Sequence, residues 1–264
     1  ALFKLSELVD MAGFPPGVIN IITGFGEPCG RIITSHPKVA RVAFTGGCDV
    51  AKHIVKNTAE NFAHVSLELG GKSPIIIFDD CDIEGAINGI IAGNFGASGQ
   101  SCVAGSRVFI QENIFNKVVS ELKERAKNIV IGDPLDKKTQ IGPLATSAQV
   151  DRAYNVITNS VKQGAKLIFG GQSPKHLAEG WYFEPTLLTC PHQNIDSVKI
   201  ELFAPVISAV SFNTEDDAIQ MANDSEFGLG AGIFTENLAR GHRVSEKIHS
   251  GIVWINTYRA ISPI

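Results

Sequence analysis

The stretch LELGGKSPIIIF, residues 67–78, places two strand patterns on either side of a glycine pair. Residues 64–69 predict a strand that stops at the first glycine, and the apolar run at 74–78 predicts a second, buried strand. Because glycine has no Cβ, the pair permits a sharp change of chain direction. We therefore expect a junction here between a first domain, residues 1–69, and a second, residues 70–264.

Working outward, strand and helix patterns alternate on both sides of this junction. Alternation of this kind predicts an α/β fold, in which parallel βαβ units form a sheet covered by helices. In the first domain, we predict three helices: one at 1–12, one that follows the GFGEPCG turn and ends at Ile32, and one at 49–57. We predict strands there at 18–22, 39–44 and 64–69. In the second, we predict helices at 82–97, 114–129 and 147–163, and strands at 74–78, 107–111, 165–169, 182–188, 206–212, 230–234 and 252–255.

The composition favours a globular protein with a small neutral ligand. The 264 residues are 44% hydrophobic and carry a net charge of −4 without a run of Lys or Arg. This pattern argues against binding to nucleic acid or to an anionic membrane. No segment reaches about 18 consecutive apolar residues, so we expect neither a membrane span nor an export signal.

The five cysteines are scattered through the chain, with no CxxC pair and no histidine cluster at ligand spacing. Neither a disulfide framework nor a metal site is predicted. We therefore expect a reducing, cytoplasmic location. A lone thiol there is either a small buried hydrophobe or a nucleophile, and its neighbours must decide.

Three islands resemble the aldehyde dehydrogenase superfamily: LELGGKSP at 67–74, GQSCVAGSR at 99–107 and ELFAPV at 201–206. Supporting matches lie at 12–26, 36–47, 141–144, 164–171, 184–186 and, as NTYRAISP, at 256–263. The resemblance covers essentially the whole chain. It implies the second half of a Rossmann-like cofactor domain followed by an α/β catalytic domain of the aldehyde dehydrogenase type.

Cys102 lies in a loop of small residues between a predicted helix and a predicted strand. The resemblance implies that it is the nucleophile that adds to the carbonyl of a small aldehyde, with its own N–H as one donor to the oxyanion. The thioester left after hydride transfer is labile enough to hydrolyse. The other four cysteines match no catalytic motif.

Glu68 is the acidic residue of an otherwise apolar strand end. The LELGG context implies that it is the general base that activates the deacylating water. Burial at this strand end should raise its pKa towards neutrality, as a general base requires. Without the LELGG context, a glutamate at this position would be expected on a solvated strand edge.

The resemblance also implies a cofactor, NAD or NADP, and the residues that hold it. Glu201 and Phe203 would flank the nicotinamide ribose and ring. Phe44, Thr45, Gly46 and Gly47 end a strand and open a helix, where backbone N–H groups hold a pyrophosphate. Leu69 is a further predicted contact, and Gly26 belongs to a turn on the adenosine side.

The chain departs from the family pattern at three of these positions. Ala204 stands where the family usually has Gly, Gly47 where Ser is common, and Ala51 where Gly is common. The loss of a hydroxyl at position 47 removes one phosphate donor. Tyr258 and Arg259 follow a predicted strand end, and an arginine facing the substrate tunnel would favour a polar or carboxylate-bearing aldehyde.

Three interpretations stay open at this point. The helical periodicity starts without a preceding cap, which indicates a chain cut from something longer. The resemblance implies that the family continues upstream of residue 1 and downstream of residue 264, and that the complete protein is a homodimer or homotetramer. The chain would then be part of a dehydrogenase. A stand-alone remnant with a binding or structural role is the alternative of a different class, and acyl transfer to coenzyme A is the alternative within the superfamily.

Overall fold

The computed structural model of the chain describes residues 2–177 and 179–260. The chain divides into two compact units, Ala1–Leu69 and Gly70–Ile264. Ala1 of the first predicted helix and the end of the NTYRAISP match, residues 261–263, lie outside the described residues.

The first unit contains a two-stranded parallel sheet. Strands β1 (Arg41–Gly46) and β2 (His64–Leu69) pair along their whole length, so that Thr45 lies opposite Glu68. The accompanying helices are α1 (Leu2–Met11), α2 (Arg31–Ser35) and α3 (Cys48–Thr58). Helix α3 buries one face, which carries Ala51, Ile54 and Thr58 at the helical spacing of three and four residues.

Three predictions for the first unit need correction. The helix predicted to end at Ile32 is α2, which begins at Arg31 and continues to Ser35. Residues 18–22 form no strand, and Val18, Ile19 and Ile22 are exposed. A strand satisfies its backbone groups by pairing with a neighbour, and no described strand pairs with this segment. Strand β1 also begins two residues later than predicted, because Val39 donates its N–H to the His36 carbonyl in a turn.

The second unit contains a seven-stranded sheet with helices on both faces. Its strands are β3 (Pro74–Ile77), β4 (Arg107–Gln111), β5 (Lys166–Phe169), β6 (Thr186–Thr189), β7 (Val206–Phe212), β8 (Gly230–Phe234) and β9 (Ile252–Ile255). Its helices are α4 (Ile83–Ile90), α5 (Phe115–Ala126), α6 (Ser147–Lys162), α7 (Asp196–Lys199), α8 (Glu215–Asn223) and α9 (Leu238–Ser245). The strands are arranged in the order β5-β6-β7-β4-β3-β8-β9.

The apolar run at 74–78 explains the position of β3 inside this sheet. Ile76 packs in a core cluster on one face with Phe109 of β4, and Ile75 and Ile77 pack in another with Val108. All of these residues are fully buried. Alternate side chains point to opposite faces of a strand, so a continuous apolar run is what a sheet covered on both faces requires. The predicted α/β class is confirmed.

Deviations from the predicted pattern in this unit have local causes. The pair β5 and β6 is antiparallel, whereas the other neighbours in the sheet are parallel. Strand β6 begins at Thr186 instead of Tyr182, because Pro185 has no N–H to donate to a ladder. Helices α7, α8 and α9 were not predicted, although Thr214 and Asp217 form a capping box at the start of α8.

The helix predicted at 82–97 ends early. Helix α4 continues through a π-helical turn, Ile91–Phe95, and the chain then leaves the helical path at Gly96. No helix within residues 2–177 and 179–260 combines the length and the apolar character needed to cross a membrane.

Candidate active site

The segment that carries Cys102 follows directly from this break in the helical path. Ala97, Ser98 and Gly99 have positive φ angles of 52°, 56° and 72°, a left-handed run that costs energy at the two residues with a Cβ. At Gly99, a Cβ would lie 2.2 Å from the carbonyl oxygen of Ala204. Glycine is therefore required here, and it lets the Cys102 loop, residues 96–106, touch the ELFAPV segment.

A second close approach fixes Cys102 itself. A Cβ at Gly71 would lie 2.3 Å from the carbonyl oxygen of Cys102, so the backbone of the GG pair packs directly on the backbone of the cysteine. The Cys102 thiol is free and its side chain is half-buried. The loop is thus held by contacts with the backbone on two sides, and Cys102 is not fully buried within it.

Glu201 joins the same cluster through its carboxylate. Its Oε1 atom accepts a hydrogen bond from the Gly71 N–H at 3.1 Å, and a Cβ at Gly70 would lie 2.0 Å from its Oε2 atom. The three islands that are distant in sequence therefore meet within the second unit. A small cavity lies among them, lined by Gly71, Ser101, Glu201, Phe203 and Ala204 together with neighbouring residues.

Phe203 presents its ring at the surface of this cluster. The residue has a φ of 54° and is 38% exposed, and its carbonyl oxygen accepts a hydrogen bond from Gln149 Nε2 at 3.0 Å. The neighbouring Ala204 is buried. The left-handed residue of this turn is thus Phe203, so the alanine at position 204 is compatible with the turn.

Two buried basic side chains, Arg107 and Lys72, lie next to the cluster, and neither was predicted. Arg107 donates from Nε to the Lys72 carbonyl at 2.6 Å, and its two Nη atoms donate to the carbonyls of Met221 and Ala222 at 3.1 and 2.8 Å. Lys72 is 1% exposed, and its Nζ atom has no hydrogen-bond partner among the described residues. Burial, reinforced by Arg107, lowers the pKa of Lys72 to about 7, although Glu201 opposes the shift.

The predicted site residues of the first unit lie at the carboxyl ends of its two strands. Phe44, Thr45 and Gly46 end β1 and pair with Leu67, Glu68 and Leu69 of β2. Gly47 then occupies the N-cap position of α3, and because glycine has no side chain, it accepts no side-chain hydrogen bond from the N–H groups of the first turn.

Gly26 lies in another segment, at the start of the π-helical turn Gly26–Gly30 that precedes α2. Its surroundings are open, since a Cβ there would meet nothing within 4 Å.

The expected burial of Glu68 is wrong for this chain. The Glu68 side chain is exposed, as is that of His64 at the other end of β2. A two-stranded sheet has little apolar area to cover, and the flanking leucines of β2 are themselves only half-buried. The apolar neighbours that motivated the prediction therefore do not shield the carboxylate.

The remaining cysteines contrast with Cys102. Burial raises the pKa of Cys81 to about 11 and also raises that of Cys190. Cys48 is exposed and Cys29 is half-buried, both in the first unit. Within the described residues, no group of three or more His, Cys, Asp and Glu side chains is placed to hold a metal ion.

The two residues that follow β9 differ in exposure. Tyr258 is buried, whereas Arg259 is half-buried and donates from Nη1 to the Ala92 carbonyl at 3.3 Å. Arg259 thus forms a hydrogen bond to the π-helical turn, Ile91–Phe95, that follows α4.

Comparison with known proteins gives consistent matches over the whole chain. The model of the aldehyde dehydrogenase family matches residues 1–263. The chain is 52% identical over 264 residues to the (Z)-2-((N-methylformamido)methylene)-5-hydroxybutyrolactone dehydrogenase of Acinetobacter baylyi, covering 100% of the chain and 54% of that protein. It is 44% identical over 262 residues to a betaine aldehyde dehydrogenase of Brucella anthropi, covering 98% of the chain and 53% of the relative.

Solved structures agree with these matches. The betaine aldehyde dehydrogenase of Staphylococcus aureus in complex with NAD+ superposes with a TM-score of 0.95 at 38% identity, covering 98% of the chain and 52% of that structure. The chain spans about half the length of the curated relatives it matches. With a family model that extends over residues 1–263, the chain belongs to the aldehyde dehydrogenase family.

Proposed function

We propose that this chain carries the nucleophile, the general base and part of the cofactor site of an NAD(P)-dependent dehydrogenase that oxidises an aldehyde to a carboxylic acid. The observation that carries the proposal is the meeting of three distant segments at the loop that contains Cys102. Gly71 packs on the Cys102 carbonyl, Gly99 packs on Ala204, and Glu201 accepts a hydrogen bond from Gly71. The family to which the chain belongs and the named activities of its relatives support the same chemistry.

In this proposal, Cys102 supplies the covalent chemistry. Its thiolate adds to the aldehyde carbonyl, and the oxyanion that forms accepts a hydrogen bond from the Cys102 N–H. When the oxyanion collapses to a carbonyl, the carbon loses a hydride and a thioester remains on Sγ. A half-buried cysteine in a loop that follows a left-handed run suits this role better than Cys81 or Cys190, which are buried.

The residues present fit a nicotinamide dinucleotide. The Glu201 carboxylate has acceptor capacity beyond its hydrogen bond from Gly71, so it can accept from ribose hydroxyls, and the exposed Phe203 ring offers a flat apolar surface. The start of α3 offers backbone N–H groups for a pyrophosphate after Gly46 and Gly47. When bound, the cofactor accepts the hydride. Both NAD and NADP remain within the proposal, and a solved relative contains NAD+.

Hydrolysis of the thioester needs a base, and we assign that role to Glu68. Its position at the carboxyl end of β2 within LELGG supports the assignment. The carboxylate takes a proton from water as the water oxygen attacks the thioester carbonyl, and the thiolate of Cys102 leaves. With Glu68 as a general base for water, hydrolysis would be favoured over transfer to coenzyme A.

The substrate class and setting of the complete protein follow from the same proposal. The substrate is a small aldehyde, and relatives are named for betaine aldehyde and for a substituted hydroxybutyrolactone. All five cysteines are free, which supports a reducing, cytoplasmic setting. The complete protein would act as a homodimer or homotetramer, as the family resemblance implies.

The proposal is tested by replacing the nucleophile in the protein expressed from its complete coding sequence. Cys102→Ala should abolish NAD(P)H formation from a panel of aldehydes while cofactor binding persists, because none of the other four cysteines lies in the Cys102 loop. Cys48→Ala is the matched control, since it removes an exposed thiol by the same change. Normal turnover by Cys102→Ala would refute the proposal. It would equally be refuted if the unmodified protein bound no dinucleotide and oxidised none of the aldehydes, which is the outcome expected of a non-catalytic remnant.

A further inference from the structure

Tyr258 occupies a position that none of the roles above explains. It lies just after β9 and is 7% exposed, and its ring packs against Trp254 with 4.9 Å between centroids. The ring also lies on three glycines. A Cβ at Gly93, Gly105 or Gly232 would approach ring atoms of Tyr258 to 2.6, 3.2 or 2.5 Å. The backbone of three separate segments thus packs closely against the Tyr258 ring.

The hydroxyl of this buried ring reaches the Cys102 loop. Tyr258 Oη donates a hydrogen bond to the carbonyl oxygen of Val103 at 2.9 Å. Val103 is the residue directly after Cys102 in the sequence. Burial raises the pKa of Tyr258, so the phenol keeps its proton and remains a donor at any pH at which the enzyme would work.

The contacts of the loop show what this hydrogen bond adds. Upstream of the cysteine, Gly99 packs on Ala204, and downstream, the Gly105 N–H donates to the Gly93 carbonyl at 3.2 Å. Between these anchors, the Ala104 N–H donates to Ser101 at 3.0 Å, which closes a turn around Cys102. The hydrogen bond from Tyr258 fixes the carbonyl inside this turn, and therefore the plane of the peptide that joins Val103 to Ala104.

We propose that Tyr258 is a positioning residue for the nucleophile. Its hydroxyl holds the turn 101–104 in the orientation that presents the Cys102 thiol and N–H to the substrate. The inference rests on the proposed function of Cys102. It does not make Tyr258 a catalytic residue, because its hydroxyl is bonded to the backbone of the loop and not to a reacting group.

The test separates the hydroxyl from the ring. Tyr258→Phe keeps the ring on the three glycines and removes only the donor to Val103, and Tyr154→Phe is the matched control, because Tyr154 is exposed on α6. In the complete protein, the NAD(P)H burst should slow by about three- to tenfold in Tyr258→Phe, the loss expected for one neutral hydrogen bond. The KM for the cofactor should be unchanged, and Tyr154→Phe should behave as the unsubstituted protein.

A second measurement does not depend on turnover. The rate at which iodoacetamide alkylates Cys102, followed by mass spectrometry across pH, should change in Tyr258→Phe and not in Tyr154→Phe. An unchanged burst with an unchanged alkylation profile would overturn the inference. A burst and an alkylation profile that change in Tyr258→Ala and not in Tyr258→Phe would assign the residue to packing of its ring and also overturn the inference. If Cys102→Ala were active, the proposed function would fail, while the alkylation result would still decide whether Tyr258 positions the loop.

Discussion

The two sheets of the molecule differ in how completely their strands are covered. In the first unit, β1 and β2 pair with each other, and none of their residues is fully buried. In the second unit, every residue of β3 and of β8 is buried. Strands β1 and β2 include charged and polar residues among their apolar ones, whereas β3 and β8 include none. The apolar pattern of each strand therefore agrees with the number of neighbouring strands and helices that cover it.

The candidate site follows the same division. Cys102 and Glu201 in the second unit are held by contacts with the backbone that leave no room for a Cβ at Gly70, Gly71 or Gly99. Glu68 in the first unit is an exposed side chain on a half-covered strand. We therefore expect substitutions near Cys102 to alter geometry, and substitution of Glu68 to alter chemistry while the fold is kept.

Among substitutions that keep the nucleophile, the largest effect is expected from Glu68→Gln. Loss of the general base should slow thioester hydrolysis by about 10²- to 10⁴-fold while the first turnover of NAD(P)H stays near its normal rate. Rapid-quench mass spectrometry should then detect acyl-enzyme on Cys102. Glu60→Gln is the matched control, since Glu60 is exposed in the same unit. If the first turnover is slowed and no acyl-enzyme accumulates, Glu68 is not the base for deacylation.

A smaller effect, expressed as stability, should separate two glycines. Gly99→Ala forces a Cβ to within 2.2 Å of Ala204 at a φ of 72°, so we expect a loss of about 3 kcal/mol in the free energy of unfolding and a displaced Cys102 loop. Gly30→Ala should be neutral or slightly stabilising, because Gly30 has helical angles and open space around it. Chemical denaturation of both variants measures the difference. Equal stability of the Gly99→Ala and Gly30→Ala variants would show that the Cys102 loop can move to accommodate the added Cβ at little cost.

The fold of the second unit was largely predictable because its signals are local. Strands β4, β7, β8 and β9 have the predicted bounds, since each is a short apolar run between turn residues. The prediction at 18–22 rested on the same kind of signal and was wrong, because pairing depends on a neighbour that a local pattern does not reveal. Short helices such as α9 were missed because three turns or fewer give little periodicity.

The candidate site was predictable only in part. The positions of Cys102, Glu68 and Glu201 came from resemblance, and composition alone would not have distinguished them. The left-handed angles of Ala97 and Ser98, the unpaired amine of Lys72 and the hydrogen bond from Tyr258 to Val103 arise from tertiary contacts between residues far apart in sequence. Lys72 follows the glycine pair directly, and an ammonium in an otherwise apolar stretch was the available signal.

Lys72 gives a prediction that depends on pH. Its pKa is about 7 in the folded protein against 10.5 as its ordinary value, mainly because of burial. Below pH 7, Lys72 is protonated in both the folded and the unfolded state, so folding pays the full free-energy cost of burying the charge. Between pH 7 and about 10.5, the unfolded state binds more protons, so stability rises with pH by up to about 1.4 kcal/mol for each unit. Lys72→Met should therefore stabilise the protein most at pH 6 and progressively less by pH 9.

The control and the contrary outcome for Lys72 are both direct. Lys199→Met removes an exposed lysine of the same unit, so its effect on the free energy of unfolding should be small and independent of pH. A Lys72→Met protein whose stability relative to the unsubstituted protein is the same at pH 6 and pH 9 would show that Lys72 does not lose its proton on folding in that range.

The smallest expected effect is also the most direct measure of the difference between the two sheets. Val108 of β4 is fully buried, whereas Val42 of β1 is half-buried, and changing either to Ala removes the same two methyl groups. We expect Val108→Ala to lower the free energy of opening of its sheet by about 2 kcal/mol, since it loses both transfer energy and packing, and Val42→Ala to cost less than about 1 kcal/mol.

Trp181 and Trp254 both lie in the second unit, so tryptophan fluorescence would not report on β1. Hydrogen exchange measured on peptides from β1–β2 and from β3–β4 reads the two sheets separately in one experiment. Equal losses at the two positions would mean that β1 is packed as tightly as β4 in solution, and the contrast between the two units would have to be abandoned.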